Sequence, residues 1–396
     1  SSDVQHVLNA EIPEVESPYA GRRLGFGDHA KISSYWLATN FVWGALLMVM
    51  VPSQIKQLAE AANLDRAKLL GVITGVAALV ALFVPLVVGA LSDRCAVRWG
   101  RRRPYILTGV IINVVGLAVM AFGFSLKNVP IYFLGYVIVQ FGNNVATAAF
   151  SGIIPDLIPV DQRGVASGYM AVMSQVGTLL GGMITGKAMS GLGEPYKFAI
   201  VSILLCAVAC VTFFGVKETP LPFRPPKLKW VPYIKSLYID PRVYPDFAWV
   251  WLTRALVMLG FYSILPFIQY YLSDVIHVAK PEETAPQLLG LILIGSTFSG
   301  YAGGAISDRI GRKRVVYIAN LIIAVMTIAL IFCTKLDQVL IVGVLFGLGY
   351  GAYTSVDWAL GTDVLPSEKD AAKDMAVWHI SMTLPQSIAG PIAGAI

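Results

Sequence analysis

Residues 89–104 read Gly-Ala-Leu-Ser-Asp-Arg-Cys-Ala-Val-Arg-Trp-Gly-Arg-Arg-Arg-Pro, from Gly89 to Pro104. A long apolar segment ends just before this stretch and another begins just after it. A compact basic knot between two apolar segments of spanning length marks the cytoplasmic end of a helical hairpin. The knot recurs, four residues shorter, as Gly304-Ala-Ile-Ser-Asp308-Arg309-Ile-Gly311-Arg312-Lys-Arg314. A duplication at the same place in two hydrophobic halves predicts a transporter of two related bundles.

Composition agrees. The chain has 396 residues, 56% hydrophobic and 14% charged, with mean hydropathy +0.67. A soluble domain carries roughly 25% charged residues, so this chain has too few charges to cover a water-facing surface. It reads as a polytopic membrane protein. Four scattered cysteines make no disulfide framework, and no His/Cys spacing reads as a metal site.

Segments of about 20 apolar residues, long enough to span, fall at 33–54, 69–91, 105–124, 130–153, 165–186, 194–216, 247–272, 287–306, 315–333, 337–360 and 376–396. That makes eleven, and the repeat leads to an expectation of a twelfth. The fold class is therefore an all-α membrane protein of six plus six helices. A tail covers 1–32, a first bundle 33–216, a linker 217–245 rich in proline and Lys/Arg, and a second, incomplete bundle 246–396.

With the N-terminus inside, 21 of the 30 Lys/Arg fall in cytoplasmic segments and eight in external ones, with Arg254 inside a span. The net charge of +6 thus reads as orientation and not as a nucleic-acid footprint. A second repeat supports the two halves: Gly142, Asp156 and Pro159 recur 207 positions later as Gly349, Asp363 and Pro366.

These residues resemble the major facilitator superfamily, and more narrowly its sucrose/proton symporter branch, within the glycoside–pentoside–hexuronide sugar transporters. The resemblance rests on Pro85, Gly89, Ser92-Asp93-Arg94-Cys95, Arg98 and Gly100-Arg-Arg-Arg-Pro104. Phe41, Trp43 and Pro52 in the first span, and the paired Asn143-Asn144 in the fourth, agree with it. It is best over the N-terminal half. It implies the two-bundle fold, a sugar as substrate and a proton as coupling ion. The branch carries a proton-taking aspartate three residues before the paired asparagines, where this chain has Gln140. Either the proton site has moved or transport is not proton-driven.

The repeated Asp-Arg pairs predict a cytoplasmic gate. Asp93 and Asp308 sit where helices end, suited to the positive end of a neighbouring helix. Arg94, Arg101, Arg309 and Arg312 are placed to bridge to Asp156 and Asp363, latching the bundles until the cavity opens inward. The alternative is that these arginines only set orientation.

Polar groups inside spans are expensive and face a cavity or another helix. Gln140, Asn143, Asn144 and Thr147 form such a stripe, joined by Asn40 and Trp43 in the first span and Gln175 in the fifth. Amides donate and accept, as sugar hydroxyls require. Tyr262, Tyr353, Trp358 and Trp378 are candidate aromatic platforms for sugar faces, and Pro266 interrupts its helix as a possible gate. Arg254 and Asp357 lie at similar depth in the second bundle and are placed to pair. With His379 they are the candidate coupling residues.

The expectation is a sugar transporter working by alternating access, driven by a proton or other cation. It is a plasma-membrane protein with a cytoplasmic N-terminus, monomeric, and with no cofactor. The chain shows no nucleotide-binding motif of the Gly-x-x-x-x-Gly-Lys-Ser/Thr type and no nucleophile–base pair within the spans, so an enzyme is not expected. A drug, peptide or metabolite transporter, or a membrane assembly factor or sensor on the same fold, is the alternative.

Overall fold

The computed structural model describes residues 17–159, 163–224, 227, 229–364, 366 and 371–395. The first half holds α1 (Phe26–Ala62), α2 (Arg66–Asp93), α3 (Arg103–Ser125), α4 (Val129–Ser151), α5 (Arg163–Met183) and α6 (Glu194–Gly215). The second holds α7 (Pro245–Asp274), α8 (Pro281–Ile310), α9 (Arg312–Ile331), α10 (Leu336–Asp363) and α11 (Ala371–Ala395). Among the described residues the only β pairing is an isolated bridge between Val97 and Gly100.

Local chemistry sets the helix starts. The Asp65 carboxylate accepts the N–H groups of Ala67 and Lys68 at 2.9 and 3.0 Å and so caps α2. Asn128 does the same for Ile131 at the start of α4, and prolines occupy the first turns of α3, α4, α6, α7 and α8. Among the described residues seven helices are long and apolar enough to cross a bilayer by length and composition. The amides of α4 dilute its apolar run, and it is not among the seven.

Two departures from the apolar segments matter. Helix α1 begins seven residues before 33 and contains a π turn, Leu46–Met50. Helix α7 is not continuous, because Leu265–Phe267 tightens to a 3-10 turn around Pro266, which has no N–H to give the ladder. In the linker, Trp230–Ser236 forms a short helix.

In the first half α3 packs on α4, α1 on α5 and α6, and α2 on α4. In the second, α10 packs on α8 and α9, and α7 on α11. The halves meet at the crossings of α2 with α11 and of α5 with α8, and where the π turn of α1 lies against α8 and α7. At the first, a side chain on Gly71 would run into the Gly390 carbonyl, so the close approach requires glycine. At the second, Gly182 and Gly186 receive Pro286. Both crossings lie away from the basic knots, at the start of α2 and α8 and the end of α5 and α11. Phe83, Phe214, Phe298 and Ile331 are among the large apolar side chains left outward-facing, as a bilayer-bathed surface requires.

Candidate functional site: two gates and a buried ion pair

At the knot, Arg102 is the centre. Its Nε donates to Asp156 at 2.8 Å, one Nη pairs with Asp93 at 2.5 Å and the other donates to Ser92 Oγ. Arg101 also reaches Asp156, at 3.0 Å. Burial works against the Arg102 charge, but Asp93 and Asp156 outweigh it and hold the guanidinium above its ordinary pKa. The backbone N–H of Arg102 donates to Glu218, 116 residues away in the linker, at 3.0 Å. Gly100 allows this: its φ is +106°, and a Cβ there would strike the Glu218 side chain. Burial pushes the Glu218 carboxyl above the usual carboxylate range, with Arg102 pulling the other way.

The sequence pointed to Arg94 and Arg101 as bridging groups between the bundles. Among the described residues the Asp93 and Asp156 pairs stay within the first half, and Arg102 takes the place expected of Arg94. Arg94 forms the C-cap of α2. Arg309 ends α8 with its side chain exposed, and Arg312 opens α9. The side chains of Asp308, Asp363 and Trp358 lie outside the described residues. A run of three arginines gives no sign of which one turns inward, so Arg102 was not separable from its neighbours in the sequence.

At the opposite end the halves are bonded. Gln269, just beyond the broken turn of α7, donates to the carbonyls of Met48 and Val49 in the π turn of α1. Its Oε1 accepts from Ser53 at 3.1 Å, and Tyr270 donates to the Pro52 carbonyl at 3.1 Å. Arg66 pairs with Asp274 and lies over the Tyr270 ring, 4.8 Å from its centroid. A vestibule of about 450 Å³ opens here, with Lys56, Glu60, Arg66, Glu194, Lys197 and Glu282 among its lining.

Of the amides, Asn143 is buried and accepts a 2.5 Å hydrogen bond from Thr39 of α1, and Gln140 is buried. Both side chains lie inside the first half. Asn144 is partly exposed and donates back to the Gln140 carbonyl at 2.8 Å. Asn40 donates to the Trp36 carbonyl at 2.8 Å and is also partly exposed. Gln175 is exposed and shares a helix face with Leu179, Gly182 and Gly186, which meet α8. It therefore faces the gap between the halves, below their contact.

In the second half, Arg254 of α7 and Asp357 of α10 form a salt bridge with both residues at least 95% buried. Tyr353 donates to the other Asp357 oxygen at 3.0 Å, and the Arg254 guanidinium lies 3.5 Å from the centroid of Trp378. The pair is sealed inside the half and does not line the gap. His379 follows Trp378 with an exposed side chain. Trp43 packs on the core of the first half and Tyr262 on that of the second. Phe261 stacks on Tyr350 at 4.7 Å, with Phe346 at 6.2 Å, an aromatic wall not foreseen as a unit.

Residues 32–390 match the family model described as Major Facilitator Superfamily. The chain belongs to that superfamily. This superfamily is one of transporters. Over 374 residues the chain is 22% identical to the uncharacterized MFS-type transporter YuxJ of Bacillus subtilis (strain 168), covering 91% of this chain and 90% of that protein. It is 32% identical to the sucrose transport protein SUC4 of Arabidopsis thaliana, but over 145 residues, 33% of this chain and 28% of that one. Among major facilitator structures, the D-xylose-proton symporter superposes with a TM-score of 0.65 at 16% identity, covering 93% of this chain and 96% of that one. The nucleoside transporter NupG gives 0.74 at 13% identity, covering 93% and 91%. Those identities speak for the shared fold.

Proposed function

We propose that this chain is a secondary active transporter of a sugar, a disaccharide or glycoside, working by alternating access and coupled to protons. The observation that carries this reading is the pairing of accessible amides in the first half, Asn40 and Asn144 partly exposed and Gln175 exposed, with a sealed ionisable pair in the second. Amides satisfy hydroxyls as both donors and acceptors. A carboxylate held by an arginine across two helices is a group whose charge can change when the helices move. The likeness to a sucrose transport protein, over 33% of this chain, supports the substrate class.

The excess of Lys/Arg beside the knots supports a cytoplasmic N-terminus in a plasma membrane and an inward-facing conformation, with the Gln269 gate shut outside. The working unit is a monomer. Substrate touches the amides and the Phe261–Tyr350 wall, and the external crossings then separate as the knot side closes. Asp93, Asp156, Asp308, Arg309, Arg312 and Asp363 would form the cytoplasmic gate in that closed state.

Purified protein in proteoliposomes, offered radiolabelled disaccharides, glycosides and monosaccharides with and without an inward proton gradient, tests this. Accumulation of a glycoside that collapses with a protonophore is the expected result. A second reading, efflux of apolar compounds, draws on the aromatic wall and on 21% identity over 91% of the chain to multidrug resistance protein MdtG of Salmonella choleraesuis (strain SC-B67). Hydrophobic dyes in the same screen separate the two.

A further inference from the structure

The linker between the halves does more than connect them. Its helix, Trp230–Ser236, touches the first half through Tyr233, whose hydroxyl donates to the Leu86 carbonyl of α2 at 3.2 Å. On the face turned away, Val231 and Ile234 stand at i and i+3 and are 64% and 61% exposed, and Tyr238, just beyond the helix end, is 74% exposed. Trp230 flanks them. An apolar stripe of this kind is costly in water.

Its depth says what covers it. Leu86 precedes Asp93, the end of α2, by seven residues, which at 1.5 Å per residue is roughly 10 Å along the helix. The linker helix therefore lies above the ionic knot, at the level where headgroups give way to acyl chains. Around the stripe, Arg224, Lys227, Lys229 and Lys235 are all exposed, against a single acidic residue, Asp240, between positions 224 and 240. Long basic side chains reach from such a depth to the phosphates while their stems stay apolar.

We infer that the Trp230–Ser236 helix, with the cations Arg224, Lys227, Lys229 and Lys235 beside and on it, forms an amphipathic anchor that lies in the headgroup boundary of the knot-side leaflet and takes anionic phospholipid as its partner. The apolar stripe supplies insertion, and the four cations supply selectivity for negative headgroups. Through Tyr233 the anchor is tied to α2, the helix that crosses α11 between the halves.

The test is hydrogen–deuterium exchange of residues 230–238 in the full chain, reconstituted in nanodiscs of phosphatidylcholine alone or with phosphatidylglycerol. Exchange should slow by about tenfold or more when the anionic lipid is present, on the scale expected for several basic residues at a charged surface. The triple variant Lys227→Gln, Lys229→Gln, Lys235→Gln should lose that dependence. The pair Val231→Ser, Ile234→Ser should exchange fast in both lipids. Protection that is the same in both lipids and indifferent to the serines would mean the protein itself, or a second copy, covers the stripe. Fast exchange of the wild-type chain in both would mean that the helix lies in water. Either result overturns the assignment.

Discussion

Arg254 and Asp357 stand 103 positions apart and form a salt bridge that ties α7 to α10 inside the second half. Removing one partner of such a pair strands the other charge, at a cost of about 3–5 kcal/mol. Arg254→Ala should therefore lower thermal stability in detergent by that order, as followed by the unfolding midpoint. Replacing both, as Arg254→Met with Asp357→Leu, should recover most of the loss, because two apolar groups need no desolvation. If the single and double variants melt alike, the pair is not an electrostatic unit.

Asp357→Asn keeps the shape and removes the titration. It also strands the Arg254 charge and should melt lower, so transport is read at a temperature where the variant stays folded. Sugar binding and exchange should survive while accumulation against a gradient is lost. Accumulation at the wild-type level would make Asp357 a structural group and put the coupling site elsewhere.

The two neighbouring asparagines of α4 should behave differently. Asn144→Leu should weaken sugar binding by about 1–3 kcal/mol, roughly 5- to 150-fold, with little change in melting. Asn143→Leu leaves the buried Thr39 hydroxyl unpaired and should instead destabilise the fold. Equal effects on binding would remove Asn144 from the path.

Closure opposite the knots is testable by cross-linking. Ser53 Oγ and Gln269 Oε1 are 3.1 Å apart on opposite halves. Ser53→Cys with Gln269→Cys, in a background without the native cysteines, should lose turnover on oxidation and regain it with reductant. Undiminished uptake by the oxidised, cross-linked protein would show that this contact does not need to open.

Glu218 makes a pH prediction. Its carboxyl is raised by burial in the folded chain, so the folded state holds that proton more tightly than the unfolded one. The penalty is present above the folded pKa and is relieved as pH falls through it. Glu218→Gln should therefore melt higher than wild type near neutral pH, with the difference shrinking in the mildly acid range. A gap that widens on acidification would mean that the ionised carboxylate is the favoured form.

Much of the fold is legible because a bilayer demands long apolar runs, and ten loops interrupt them with charge. The Arg254–Asp357 pair was legible for the same reason, since two isolated charges in apolar segments have few other partners. Side-chain direction was not. Gln140, Asn143 and Asn144 fall on one stripe by spacing, yet small rotations about the helix send Asn143 to Thr39 and leave Asn144 partly open. Glu218 was hidden because its partner Arg102 lies 116 residues away, and no periodicity links a linker to a loop. Trp378 looked like a sugar platform, but an adjacent guanidinium already covers its face.

The π turn of α1 has a consequence for how that helix can vary. Its wider winding absorbs one extra residue locally, so the turns beyond it keep nearly the facing that a regular helix one residue shorter would give them. Regular winding at the present length would instead swing the following turns by about 100° around the axis. Ser53 would then leave Gln269, and Gln54 would leave the Tyr132 hydroxyl that it accepts from at 2.7 Å. The π turn thus acts as a phase setting between the two ends of one helix, and a change that straightens Leu46–Met50 is worse there than the loss of one residue.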